Sequence, residues 1–186
     1  MLKGLSTKLA GQIGEFLVCA ELGKRGLIAT SFTGNVPEFD LIVVDENLNT
    51  LPIQVKTSRA DNWPTRADLW LDIEIDHDSK KQIDHGFAQI SNPDLIYICV
   101  NLAEIESDKV DRFFILKKSD LQQICSKNYR EWMEGINWRR PRNYKSLDNR
   151  YYLENLIPFE SNWALVEDQL NPNKSSQGTQ QSCAPA

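Results

Sequence analysis

The sequence predicts a single α/β domain followed by a polar tail. Three observations lead there. A helical repeat of apolar residues spans the first 25 positions, and short strand-like apolar runs follow it. Turn chemistry separates those runs, and no internal repeat interrupts them. A chain of 186 residues is large enough to bury about 70% of its unfolded surface around one core. Its apolar share of 41% and charged share of 25% are those of an ordinary globular protein.

The spacing predicts a helix from about Ser6 to Arg25, with Ser6 as N-cap, Lys24 and Arg25 in the last turn and Gly26 just beyond. Leu9, Ile13, Phe16, Leu17 and Ala20 define one buried face, and Gly11, Glu15, Val18 and Leu22 a second ridge. A helix apolar on two sides lies between layers. A first strand is expected over 26–32. Asp40-Leu41-Ile42-Val43-Val44 and Leu51-Pro52-Ile53-Gln54-Val55-Lys56 flank the turn residues Asp45 to Asn49 and read as a β-hairpin. Leu69 to Ile75 alternates apolar and acidic positions, as a half-buried strand does. A helix is expected over 79–90, capped by Asp78 or Ser79 and broken at Asn92-Pro93. Leu95–Val100 and Arg112–Leu116 read as further strands, Ser119-Asp120 as the cap of a helix through about Lys127, and 161–170 as a final helix. From Asn171 the composition turns to Asn, Ser, Gln, Gly and Pro, so 171–186 is expected to be disordered.

The hairpin carries the chemistry. Strand side chains alternate faces, so Gln54 and Lys56 point one way and Val55 the other. An antiparallel neighbour brings Asp40 to about 5 Å from them in the right register. A carboxylate, an amide oxygen and an ammonium at one end of a sheet suit a hard divalent cation and a charged oxyanion. A solvated hairpin edge is the plainer reading of the same residues. Glu15 joins them from a packed helix ridge, where a carboxylate needs water, a cationic partner or a metal.

Gly11-Gln12-Ile13-Gly14-Glu15, Leu22-Gly23-Lys24-Arg25-Gly26, Glu38-Phe39-Asp40-Leu41-Ile42 and Ile53-Gln54-Val55-Lys56-Thr57 together resemble the PD-(D/E)XK nuclease superfamily. The resemblance is nearest to Holliday-junction-resolvase-like, Mrr-type and intron-encoded members whose motif runs Glu, Asp, Gln-x-Lys. It covers roughly residues 8 to 58 and, more loosely, the order of elements to about 125. It implies a restriction-endonuclease-like core of order α-β-β-β-α-β, a central mixed β-sheet flanked by helices. It also implies roles: Glu15 as the helix-borne acid, Asp40 as the metal-binding aspartate, Gln54 in place of the usual acidic residue, and Lys56 as the catalytic lysine. Asp40, Gln54 and Glu15 would hold Mg²⁺, with Mn²⁺ as a substitute. Two departures stand out. Glu38 occupies the position two before Asp40 while Pro37 is displaced, and Gln54 replaces a carboxylate.

The net charge of −5 excludes a uniformly polyanion-binding surface, but residues 138–150 are locally basic. Arg139, Arg140, Arg142, Lys145 and Arg150 interleave with Trp138 and Tyr144, the composition of a loop that contacts nucleic-acid phosphates. An interaction loop or a solvated loop would read the same way. Thr57 and Ser58 are further candidates for phosphate contacts. The four cysteines, Cys19, Cys99, Cys125 and Cys183, lack C-x-x-C spacing and suit reduced thiols in a cytoplasmic protein. His77 and His85 read as solvated surface residues. No apolar run approaches the roughly 20 residues of a membrane span.

The expected organisation is therefore one nuclease-like domain over 1–170, with its core at about 5–128, the basic loop at 138–150 and the final helix. The expected activity is divalent-metal-dependent hydrolysis of DNA phosphodiester bonds by an endonuclease acting on double-stranded DNA. Cutting both strands of a duplex would need two such sites, so the resemblance implies a homodimer or higher assembly. A catalytically inactive nuclease-fold protein that binds DNA or a protein partner is the alternative. A third reading is a non-nuclease effector or immunity protein in which Asp40 and Lys56 pair on the surface.

Overall fold

The structure is a computed structural model and describes residues 6–32, 38–104 and 108–172. Helix α1 (Thr7–Lys24) starts where Ser6 Oγ accepts the Leu9 N–H at 3.2 Å. It ends at Gly26, whose φ of +79° is the left-handed conformation that releases the chain into β1 (Ile28–Ser31). Strands β2 (Leu41–Val44) and β3 (Thr50–Ser58) form the expected hairpin. Asp45 holds its turn by accepting the backbone N–H groups of Asn47 and Asn49. After β3 come β4 (Asn62–Arg66), β5 (Leu71–Asp76) and β6 (Lys81–Phe87). The core then resumes with β7 (Ile96–Asn101), β8 (Arg112–Lys117) and helix α2 (Lys118–Glu134). Strand β9 (Asp148–Tyr152), the short α3 (Leu153–Leu156) and α4 (Ala164–Leu170) complete the chain.

The main sheet has the order β1-β2-β3-β7-β8 and is mixed: β3 and β7 run parallel and the other pairs antiparallel. A parallel pair needs a long crossover. Residues between β3 and β7 supply it, carrying β4, which pairs with β9, and the β5–β6 hairpin. One face of the sheet presents Leu41, Val43, Ile53, Val55, Ile96, Ile98 and Val100 to Val18 and Leu22 of α1 and to Trp163, Val166 and Leu170. The other presents Tyr97, Cys99, Phe114 and Leu116 to Trp63, Tyr151, Leu121 and Cys125. Helices thus cover a central mixed sheet, as the fold class requires.

Several elements differ from expectation. The helix expected over 79–90 is strand β6. Its proposed caps sit in the hairpin turn, where Asp76 accepts from the backbone of Asp78 and Ser79 and from Ser79 Oγ. Gly86, at φ +120°, belongs to an irregular strand end rather than a helix interior. Helix α1 buries Ala10, Gly14, Val18 and Leu22, a strict every-fourth-residue stripe, while Leu9 and Phe16 are 44% and 56% exposed. Small side chains at Ala10 and Gly14 let the helix approach the sheet closely, which decided the face against the larger apolar residues. Helix α2 continues seven residues past Lys127. Its N-cap is Lys117, with Asp120 accepting the Lys117 N–H at 3.0 Å. The final helix begins at Ala164 rather than 161. Strands β4 and β9 were not expected, and β9 takes the end of the basic loop into a sheet. Cys19, Cys99 and Cys125 are free thiols. Cys183, Pro37 and residues 173–186 of the expected tail lie outside the described residues. Among the described residues no helix is long and apolar enough to cross a membrane.

Candidate functional site

The β2–β3 register assembles the site. Leu41 pairs with Ile53 and the Asp40 N–H donates to Ile53 O at 2.9 Å, so one step back along the ladder Asp40 faces Gln54. There the side chain of Asp40 takes over from the backbone. Its Oδ2 accepts the Val55 N–H at 2.7 Å and also accepts the amide Nε2 of Gln54. Only the amide nitrogen can donate to a carboxylate, so this contact turns Gln54 Oε1 away from Asp40 Oδ2. Gln54 is 8% exposed and Asp40 half-buried. Among the described residues Asp40 Oδ1 and Gln54 Oε1 accept no hydrogen bond.

Glu15 reaches this group from α1. The preceding residue, Gly14, packs so closely on β3 that a Cβ there would lie 1.9 Å from Thr57 Oγ1. Burial, and then the negative charge of Asp40, push the Glu15 carboxyl above its ordinary range, with Lys56 opposing them. Asp40 and Lys56 therefore both act electrostatically on Glu15, although the three residues lie on different elements. Thr57 does not join them as expected: its hydroxyl is buried against α1 without a hydrogen-bond partner. Ser58 Oγ is committed to Ala60 O and Asn62 O, each at 2.7 Å.

Lys56 lies on the same face as Gln54, with its side chain exposed and its backbone held. The Trp63 indole N–H donates to Lys56 O at 3.0 Å. Trp63 stacks on Tyr151, whose hydroxyl lies 3.5 Å from Cys99 Sγ. The β4–β9 ribbon thus clamps the strand that carries the lysine. Lys56 opens into a cleft of about 490 Å³ bounded by Glu38, Pro64, Trp70, Tyr97, Leu121 and Tyr151. Glu38 has φ +77° and spans to the β6–β7 connection, accepting Ser91 Oγ at 2.8 Å and Asn92 Nδ2 at 2.6 Å. These hydrogen bonds hold its carboxyl below the ordinary range. Sequence reasoning missed Trp63, Tyr97 and Tyr151, and saw Glu38 only as a departure from a motif. The register of β7 against β3 was the missing information for Tyr97.

The basic segment is only partly free. Arg140 donates to the carbonyls of Ser146 and Asp148 and lies over the Trp132 ring, 4.5 Å from its centroid. Arg150 projects from β9 and donates to Asn62 Oδ1 at 2.9 Å. Both border a groove of about 600 Å³ with Lys127, Trp132 and Tyr152, where Glu131, Asp148 and Glu154 offset the positive charge. Arg139, Arg142 and Lys145 are exposed outside that groove. His85 Nε2 lies 2.8 Å from Glu74, and His77 Nδ1 lies 3.1 Å from the Tyr144 hydroxyl, both at the surface.

Among the described residues no three His, Cys, Asp or Glu side chains gather as metal ligands. Around Asp40 the donor set is instead two carboxylates and one amide oxygen. Every donor is a hard oxygen, two of them have no hydrogen bond, and burial together with Asp40 already disfavours the charge on Glu15. Those properties fit Mg²⁺ or Mn²⁺.

No family model matches the chain, and no curated protein matches its sequence. Among solved structures, the chain is similar to the bacterial homing endonuclease I-Ssp6803I. The TM-score is 0.53 at 12% identity, over 91% of this chain and 99% of that one. It also aligns with Archaeoglobus fulgidus Hjc, a Holliday junction resolvase from an archaeal hyperthermophile, at a TM-score of 0.41 and 12% identity over 84% and 95% of the two chains.

Proposed function

We propose that this chain is a member of the PD-(D/E)XK superfamily and a divalent-cation-dependent endonuclease that hydrolyses phosphodiester bonds in double-stranded DNA. The observation that carries the proposal is the convergence of Asp40, Gln54 and Lys56 on one strand-end face, with Glu15 coupled to them from α1.

Asp40 Oδ1, Gln54 Oε1 and the Glu15 carboxylate would hold Mg²⁺, or Mn²⁺ in its place. When bound, the ion supplies positive charge for the scissile phosphate and acidity for an attacking water. Asp40 Oδ2, fixed by the Val55 N–H, orients the carboxylate and leaves its other oxygen available. The Gln54 amide keeps that carboxylate aligned from the opposite strand. Lys56 brings a positive charge into the cleft, where it attracts the phosphate and stabilises the charge that grows on its oxygens in the transition state. Burial raises the affinity of the Glu15 carboxylate for a proton, and a cation relieves the same unfavourable charge. Arg139 and Arg142, exposed on the basic segment, would contact the DNA backbone. One site per chain implies a homodimer or higher assembly for a double-strand break.

A second reading, an inactive relative that binds DNA or a protein partner, draws on Gln54: a neutral side chain stands where a carboxylate would add a ligand charge. One experiment separates the two. Wild type is expected to convert supercoiled plasmid in Mg²⁺ or Mn²⁺ and not with a chelator, and Lys56→Ala is expected to abolish conversion while remaining folded. Gln54→Glu should retain partial activity and require less metal. A wild type that is silent with both ions, but gains metal binding through Gln54→Glu, would establish the inactive reading instead.

A further inference from the structure

The cleft that receives Lys56 also contains a phenol for which the hydrolytic scheme gives no role. Tyr97 is on β7, directly across the parallel ladder from Gln54, and lies on the same sheet face as Lys56. It is 9% exposed and borders the cleft together with Lys56 and Glu38. Tyr151, the other tyrosine that borders this cleft, has its hydroxyl engaged with Cys99 Sγ at 3.5 Å. Among the described residues, no hydrogen bond engages that of Tyr97, and it is not sealed from solvent.

A tyrosine buried this far normally finds a partner for its O–H. An unpartnered hydroxyl at a cleft wall that solvent reaches is free to donate to an acceptor that enters the cleft. A tyrosine hydroxyl, with an ordinary pKa of about 10, stays protonated and so remains a neutral donor across the range in which nucleic acids are handled. The acceptor must be anionic or strongly polar and must come within reach of Lys56, which describes a phosphodiester oxygen.

We propose that Tyr97 is a further catalytic residue, whose hydroxyl donates a hydrogen bond to an oxygen of the scissile phosphate in the cleft that also receives Lys56. The assignment rests on the nuclease reading above. Lys56 supplies charge and Tyr97 a fixed neutral donor, and the two come from adjacent strands of a rigid sheet. Such a donor acts where charge develops, so its removal slows the chemical step more than it weakens binding.

The test is Tyr97→Phe, which deletes one oxygen that stabilises nothing in the free protein. Three quantities are measured: the single-turnover rate of plasmid cleavage, the Kd for an uncleaved duplex in Ca²⁺, and Tm. The rate is expected to fall ~10²-fold while Kd and Tm stay at wild-type values. A Tyr97→Phe protein that cleaves at the wild-type rate while Lys56→Ala is inactive overturns the role of Tyr97 and leaves the nuclease reading standing. A slower rate accompanied by a lower Tm assigns the hydroxyl a structural role and also overturns the proposal. A wild type that cleaves no plasmid in Mg²⁺ or Mn²⁺ removes both readings together.

Discussion

Glu15 shows how a single side chain links the site to stability. Its carboxyl is pushed above its ordinary value of 4.5, first by burial and then by Asp40. The folded protein therefore binds a proton at Glu15 more tightly than the unfolded chain does. Between the ordinary and the raised pKa the folded state holds more protons, so stability falls as pH rises through that window and stays lower above it. Glu15→Gln should therefore raise Tm at neutral pH, leave it unchanged well below pH 4.5, and reduce cleavage. Thermal melts across pH 3.5 to 8 check this. An equal gain at every pH would indicate a packing effect and not relief of charge. At this scale much of the site was legible: the alternation of Gln54 and Lys56, and the facing of Asp40, follow from strand geometry and a two-strand register. Tyr97 was hidden inside an apolar run, where its sequence context is indistinguishable from core. The same alternation puts Thr57 on the Val55 face, away from Lys56; what no local pattern encodes is the close approach of Gly14 that buries its hydroxyl there.

Among the elements, α1 depends most closely on a single contact. A Cβ at Gly14 would meet Thr57 Oγ1 at 1.9 Å and both Thr57 Cβ and Cγ2 at 3.0 Å, so no rotation of that branched side chain clears it. Gly14→Ala should cost about 1–3 kcal/mol. It should also displace Glu15 from Asp40 and reduce cleavage beyond what the lost stability explains. Chemical denaturation compared with the double variant Gly14→Ala/Thr57→Ala is the check, since removing the hydroxyl and methyl should recover part of the loss. The basic segment yields a second prediction. Arg140 already binds the carbonyls of Ser146 and Asp148, so its removal would disturb the loop itself. Arg139→Ala/Arg142→Ala is the cleaner probe. It should lower the log–log salt slope of DNA binding by roughly 0.9 per lost phosphate contact, with Tm unchanged. An identical slope would remove this segment from the interface. The unexpected elements all lack the apolar alternation that marks a strand. Strand β6 points polar residues inward, with Gln82 bonded to Tyr129 and to the carbonyls of Tyr144 and Ser146, and Asp84 bonded to Arg130. Alternation of apolar residues, the usual sign of a strand, is absent where the buried face is satisfied by hydrogen bonds instead. Strand β4 contains Pro64, and β9 buries Asn149 against Cys125 O, so neither reads as a strand locally.

For the whole molecule, the proposed function requires an account of how one site per chain would sever two antiparallel strands. The main sheet was readable because its strands are apolar and strongly periodic. Any assembly surface is less readable, because it needs only to be apolar where a free monomer would be wet. Helix α1 has this character on its outer side. Leu9 and Phe16 are exposed there, and the edge strand β1 adds Ile28 at 71% exposure. Leu9 and Phe16 occupy the helix side that periodicity marked for burial, and the main sheet does not bury them. The net charge of −5 favours solubility without preventing a local apolar contact. A homodimeric enzyme is expected to produce linear plasmid early, because both strands are cut within one binding event. A monomer would instead accumulate open-circular plasmid before any linear product. The measurement pairs sedimentation velocity with a time course of plasmid forms at several protein concentrations. Linear product should rise with the dimer fraction, and Leu9→Ser/Phe16→Ser should dissociate the dimer while leaving nicking intact if α1 forms the contact. Linear product that accumulates from a strictly monomeric sample, in proportion to protein concentration, would show that the two cuts are made independently.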